Sequence, residues 1–157
     1  MNIKIRKGKK TDLPTTIFFI KQLHKLEHSK LPLTNTVAKM EKEQKFFNFI
    51  IAELDGEIVG VAIYFFAYFT YTGKSLYLEV LFVKEAFRNK GIGSKLLRKI
   101  FEIAKKEGCT RLRWQVDDTN ETAIQYYLKR GAKISYNLLN CDFHQKDIKK
   151  FLRQNPE

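Results

Sequence analysis

The sequence predicts an α/β fold over residues 1–157: one domain with a mixed, mostly antiparallel sheet of six to seven strands flanked by helices. Three observations predict it. Apolar segments over residues 49–54 and 57–68 flank Asp55-Gly56, a two-residue hairpin signal, and a third, Leu76 to Val83, follows the turn Thr70-Tyr71-Thr72-Gly73. These read as an antiparallel meander. A Gly-x-Gly turn and an amphipathic helix then lead to Arg111–Val116, a strand that arrives by a helical crossover and so runs parallel to the one before. The last observation is a helix over Glu121–Arg130, closed by Gly131, with an apolar stretch from Ala132 to Asn140 after it.

In chain order, residues 2–7 alternate as a first strand. Thr11-Asp12 supplies a cap and Pro14 suits a first turn, so Ile17, Ile20, Leu23, His24 and Glu27 mark a helix to about residue 28. A more polar helix starts at Thr34 or Asn35 and runs toward Lys45. The three meander strands follow. Ile92, Leu96, Leu97, Ile100, Ile103 and Ala104 form the apolar stripe of the next helix, which Gly108 ends. Asp117-Asp118-Thr119-Asn120 offers caps for the helix at Glu121. Ala132–Asn140 reads as a sixth strand, with a short seventh piece near Phe143, and Asp147–Arg153 reads as a last helical turn.

Composition narrows the function classes. The hydrophobic fraction of 44% describes a folded chain with a real core, and no apolar run reaches membrane-spanning length. The N-terminus lacks a signal-peptide core, and Cys109 and Cys141 are too few for a disulfide framework or zinc site, so a cytoplasmic protein with reduced thiols is expected. A net charge of +12 points to anionic partners, among which a polyanionic cofactor, nucleic acid and a lipid surface all qualify. His24-Lys25-Leu26-Glu27-His28 matches a zinc-protease pattern, but only His144 remains as a third histidine, so no metal is expected. The basic-aromatic segments Lys45-Phe46-Phe47 and Arg111-Leu112-Arg113-Trp114 fit core strands and helices better than RNA binding.

The chemistry is carried by Arg88-Asn89-Lys90-Gly91-Ile92-Gly93-Ser94, placed between a strand and a helix. Glycines there let the backbone approach a ligand, and the unpaired amides of the next helix, with the positive end of its dipole, hold a phosphate or pyrophosphate. The spacing is neither a P-loop nor the dinucleotide fingerprint, where Leu96 would have to be glycine. It resembles the Arg/Gln-x-x-Gly-x-Gly/Ala pyrophosphate loop of the GNAT superfamily of N-acetyltransferases. Asn120-Glu121-Thr122-Ala123-Ile124-Gln125-Tyr126-Tyr127-Leu128-Lys129-Arg130-Gly131-Ala132 resembles a second motif of that superfamily, in the right order and about 30 residues on. Leu76-Tyr77-Leu78-Glu79, Phe82-Val83, Tyr127-x-x-Arg-Gly-Ala and the early Glu27 are similar to the diamine (spermidine/spermine) acetyltransferase branch. The similarity covers roughly residues 3–132. It departs at Phe69, where that branch carries an acidic residue, and in the tail after Ala132.

The resemblance implies acetyl-CoA as co-substrate and transfer of its acetyl group to a primary amine of a small polyamine- or diamine-like molecule, by direct attack within a ternary complex. It implies Glu79 as base and amine-binding carboxylate, Tyr127 as the acid for the departing thiolate, and Glu27 as a substrate carboxylate. Backbone groups of Leu81, Phe82 and Val83, freed from the sheet by a bulge, would hold the pantetheine, and residues Arg88, Asn89, Lys90, Gly91, Ile92, Gly93 and Ser94 the pyrophosphate. Asn120 and Arg130 would lie further along the cofactor, although Arg130 also reads as an ordinary helix C-terminal cation. Family members of this branch are commonly homodimers. The rival readings are a protein or peptide N-acetyltransferase and a non-catalytic CoA- or nucleic-acid-binding module.

Overall fold

The computed structural model describes residues 2–28, 31–136 and 140–154. It forms two compact units, Met1–Asp117 and Asp118–Glu157.

The first unit holds five strands, β1 (Ile3–Lys7), β2 (Asn48–Leu54), β3 (Glu57–Phe69), β4 (Gly73–Val83) and β5 (Arg111–Arg113), hydrogen-bonded in that order. The first three pairings are antiparallel and the last, β4 with β5, is parallel. The β2–β3 connection has the predicted chemistry: Asp55 and Gly56 both take positive φ, 51° and 84°, which a tight hairpin turn demands.

Helices cover both faces of this sheet. On one, α1 (Leu13–Leu26) and α2 (Val37–Lys42) bring Leu13, Ile17, Phe19 and Met40 against Phe49, Ile51, Val61, Ile63, Val80 and Phe82. Phe19, fully buried, packs at a tilt against Phe82 with ring centroids 5.1 Å apart, and burial of such a ring contributes about 2–3 kcal/mol. On the other, α3 (Ile92–Lys106) buries Ile92, Leu96, Leu97, Ile100 and Ala104. Gly60 is closed in by β4 first and by this helix second. A Cβ there would stand 2.9 Å from the Phe82 carbonyl and 3.2 Å from Leu96 Cδ1. The second unit contains α4 (Glu121–Leu128) and α5 (Gln145–Gln154).

Several expectations are corrected. The described residues form five strands, not six to seven. Residues 132–136 and 140 carry no strand, and residues 137–139, part of the expected sixth strand, lie outside the described residues. Around Phe143 there is no strand either; its ring packs edge-on against Phe151 at 6.1 Å. An apolar run without a ladder partner does not make a strand. β5 stops at Arg113 rather than Val116, because β4 offers no partner beyond Tyr77. The second helix begins only at Val37, where Thr36 accepts the Lys39 N–H, and a separate 3-10 turn covers Gln44–Phe46. Asp12 precedes α1 but does not cap it with its side chain, which instead pairs with Arg6. The tail helix α5 is longer than the single turn expected.

Candidate active site

Glu79 owes its position to a register fault. On β3, Ile63 faces Val80 and Tyr64 faces Leu78, so Glu79 is the extra residue of a bulge with no partner opposite. On the other side, the β4–β5 ladder ends at Tyr77↔Arg113, two residues earlier. Leu78 and Val80 are buried while Glu79 between them stays open to solvent. Bulged strands bend and twist, so β4 leaves β5 where the carboxylate emerges. Glu79 forms no ion pair or side-chain hydrogen bond with any described residue. Although solvent reaches it, protein crowds its flanks, and that desolvation pushes its carboxyl above the ordinary carboxylate range.

Two more carboxylates share this neighbourhood. Glu27 was expected within the first helix; α1 ends at Leu26, and Glu27 is the exposed residue just past it, its N–H bonded to the Leu23 carbonyl at 2.9 Å. Its carboxyl is raised, by desolvation first and then by the charges of Asp117 and Glu79. Like charges that disfavour one another's ionisation are relieved by a cation. Asp117, which the sequence suggested only as a helix cap, therefore joins the group, and chain order gave no sign of it. Beside them Tyr77 stacks at 5.0 Å on Phe65, an aromatic wall next to the carboxylates. Among the described residues, no three His, Cys, Asp or Glu side chains are disposed to hold a metal ion. His24 of the zinc-like pattern has its Nε2 2.6 Å from the Leu31 carbonyl.

The glycine turn is built for an anion. After β4, a 3-10 turn (Glu85–Phe87) leads through Arg88 to Asn89 and Gly91, both at positive φ, 60° and 77°, and Gly91 is the N-cap of α3. The first intrahelical bond runs from Lys95 N–H to the Gly91 carbonyl at 3.1 Å. Helix geometry thus leaves the amides of Ile92 and Gly93 without an intrahelical acceptor at the positive end of the dipole. Nothing lies within 4 Å of where a Gly91 Cβ would be, so the approach is open. Arg88 and Lys90 fold back on their own loop, Arg88 Nε donating to the Val83 carbonyl at 3.1 Å and Lys90 Nζ to the Ala86 carbonyl at 3.0 Å. The strand residues expected along a cofactor at a bulge, Leu81, Phe82 and Val83, instead pair regularly with Ala62, Val61 and Gly60, and the bulge lies at Glu79. Val83 has its carbonyl occupied by Arg88, Phe82 is buried under α1, and Leu81 is half-buried.

Asn120, Tyr127 and Arg130 belong to the second unit. Asn120 caps α4, its Oδ1 accepting the Ala123 N–H at 3.1 Å. Arg130 lies over the Tyr126 ring at 3.5 Å and donates to the Tyr126 carbonyl, the ordinary role of a cation at a helix C-terminus. Tyr127 meets Tyr126 edge-on at 5.4 Å, and burial pushes its phenol above the usual value, with Tyr126 adding to it.

The comparisons with known proteins decide the class. Residues 17–132 match the "Acetyltransferase (GNAT) family". The chain belongs to this family. It is accordingly an N-acetyltransferase, and the matched span includes every candidate site residue named above. The acetyltransferase is 32% identical over 144 residues to the thialysine N-epsilon-acetyltransferase of Sus scrofa, covering 84% of this chain and 85% of that one. It is 31% identical over 140 residues to spermidine/spermine N(1)-acetyltransferase-like protein 1 of Homo sapiens, covering 82% of this chain but 20% of that larger one. The similarity to the polyamine branch is thereby met. A solved structure of AAC(6')-Iy in complex with the bisubstrate analog CoA-S-monomethyl-acetylneamine has the same fold, with a TM-score of 0.73 over 92% of this chain and 99% of that one at 19% identity. GNAT enzymes use acetyl-CoA, and the open, glycine-lined helix start fits the pyrophosphate of such a molecule. No helix among the described residues is long and apolar enough to cross a membrane.

Proposed function

We propose that residues 1–157 act as one acetyl-CoA-dependent N-acetyltransferase domain that acetylates a primary amine of a small polyamine- or diamine-like molecule. The observation that carries this reading is Glu79, displaced from the ladder by the β4 bulge, raised in pKa and sharing its surroundings with Glu27 and Asp117. A cationic amine is the partner the Glu79 carboxylate lacks. The names of the relatives, a thialysine and a spermidine/spermine-like acetyltransferase, describe acceptors of this kind.

The residues divide the work as follows. The carboxylates of Glu27, Glu79 and Asp117 draw in the ammonium. Glu79, through a water molecule, takes a proton from it, and the neutral amine attacks the thioester carbonyl. Collapse of the tetrahedral oxyanion breaks the carbon–sulfur bond, and Tyr127 gives a proton to the departing thiolate. The second proton of the attacking nitrogen returns through water to Tyr127 while the one held by Glu79 passes to solvent, leaving an N-acetylamine and the CoA thiol. Holding the two substrates side by side is itself a large part of the acceleration. Leu81, Phe82 and Val83 would position the pantetheine, Arg88 to Ser94 the pyrophosphate, and Asn120 and Arg130 the remainder. We place the enzyme in the cytoplasm, and as a homodimer, on the resemblance to its branch.

Thiol release from acetyl-CoA tests this reading, using spermidine, putrescine, lysine analogues and basic peptides. Turnover with the small amines is expected. Turnover with peptides alone would replace the substrate class, and no release with any amine would remove the reading. Tyr127→Phe should lower kcat by about 10–100-fold with little change in KM, a general-acid contribution; unchanged turnover would exclude Tyr127 as the acid.

A further inference from the structure

Three side-chain polar atoms among the described residues are buried without a hydrogen-bond partner: Thr72 Oγ1, Arg111 Nε and Arg111 Nη2. All three occur at one end of the sheet. Thr110, the residue before Arg111, donates from Oγ1 to the Thr72 and Lys74 carbonyls, which ties the β3–β4 turn to the start of β5. The Arg111 guanidinium lies 4.0 Å from the centroid of the Phe69 ring, and that of Arg113 lies 5.7 Å from the same ring. Neither arginine forms a salt bridge with a described residue. The nearby Lys74 differs, since it is neutralised by Glu107 at 3.1 Å. Two guanidinium groups on one ring, one with sheltered donors unused, are an unfavourable arrangement that an anion with two acceptor oxygens would relieve.

The strand register relates this cluster to Glu79. Arg113 stands opposite Tyr77 and Arg111 opposite Ser75. These are two and four residues before Glu79 on β4, or about 7 and 13 Å at strand rise. Tyr77 lies between the two signs of charge: Glu79 acts on its phenol as an anion and Arg113 as a cation. The small side chains of Ala67 and Ser75, paired across β3 and β4, leave the strand surface low where Arg111 crosses toward Phe69. The surface is therefore dipolar, acidic at the bulge and basic toward the turn.

We propose that Arg111 and Arg113 form a carboxylate subsite, so that the acceptor carries a carboxylate about 7–13 Å from the reacting amine. This rests on the acetyltransfer reading above and sharpens it. A diamino acid or a short lysine peptide fits the surface better than a plain polyamine.

The test compares kcat/KM for Nα-acetyl-lysine and Nα-acetyl-Lys-Gly-Gly with their C-terminal amides. It uses wild type, Arg111→Gln, Arg111→Lys and Arg113→Gln, with spermidine as a control acceptor. Wild type should prefer the acid of one pair by about tenfold, the worth of one charge-assisted hydrogen-bonded contact. Both glutamine variants should lose the preference while still turning over the amide, and Arg111→Lys should restore part of it. Because acid and amide are compared within one protein, a partly unfolded variant does not mimic the result. Equal rates for acid and amide in wild type would overturn the proposal, as would a preference undiminished in both glutamine variants. A melting temperature raised by free glutarate or phosphate in wild type but not Arg111→Gln, without any acid preference, would overturn the acceptor assignment in favour of a separate anion. If no amine at all, spermidine included, were acetylated, the acetyltransfer reading would fail. Absence of the glutarate shift in wild type would then remove the subsite as well.

Discussion

Asp12 and Glu79 are both carboxylates that lose solvation in the fold, and their partners separate structure from chemistry. Asp12 is buried, takes two hydrogen bonds from Arg6 at 2.8 and 3.1 Å, and accepts the Lys9 N–H at 2.7 Å. The Arg6 bonds are the first cause of its lowered pKa, and they outweigh the desolvation that acts in the opposite direction. A depressed carboxylate contributes stability that is fully present above its unfolded value, near 4, and is lost as pH falls through the lower folded value. Asp12→Ala leaves Arg6 with Glu53 alone and should cost about 3 kcal/mol at pH 7, with the deficit shrinking below about pH 4. Urea unfolding at the two pH values measures this, and an equal deficit at both would assign the loss to packing. Glu79 has the reverse sign. Its raised carboxyl disfavours the charged form in the fold, so the stability it removes appears as pH rises past its ordinary value and is complete above the raised one. A residue that is slightly unfavourable for folding and lacks a partner is available for a substrate.

At the scale of elements, the decisive feature is that β4 has a bulge and loses β5 at nearly the same point. The glutamate inside the apolar run Leu76-Tyr77-Leu78-Glu79-Val80-Leu81-Phe82-Val83 made a cleft or sheet break legible at its carboxylate, but not the register at which the ladder shifts. Which register gave way depended on tertiary pairing. The hairpin at Asp55-Gly56 and the helix from Ile92 were legible because local chemistry, two positive φ residues and a regular apolar stripe, dictates them. Among the described residues, Ala132–Tyr136 has strand-like residues but no ladder partner, so chain chemistry alone does not make the expected sixth strand there. Gly60 ties sheet to helix. Gly60→Ala should cost about 1–3 kcal/mol, because the backbone carbonyl of Phe82 cannot yield as a side chain can. The midpoint of denaturation should fall with it; an unchanged midpoint would mean that β3 and β4 shift apart there without strain.

Over the whole molecule the charge is +12, yet the carboxylates of Glu27, Glu79 and Asp117 share one neighbourhood at the sheet break. An excess of cations suits the approach of a polyanionic co-substrate, and a local acidic group suits a cationic acceptor. Composition revealed the first of these and concealed the second, since Asp117 lies far from Glu27 and Glu79 in sequence. The two glycine and tyrosine motifs point to the family, while the strand register supports the acceptor side proposed above. The most direct measurement of the central claim is the pH dependence of kcat/KM for wild type and Glu79→Gln with the best amine. Wild type should rise with pH as the raised Glu79 carboxyl and then the ammonium lose their protons. The variant should fold at least as stably, turn over at least about tenfold more slowly, and show a flattened rise. An unaltered profile at unaltered rate would contradict the account and return Glu79 to the surface.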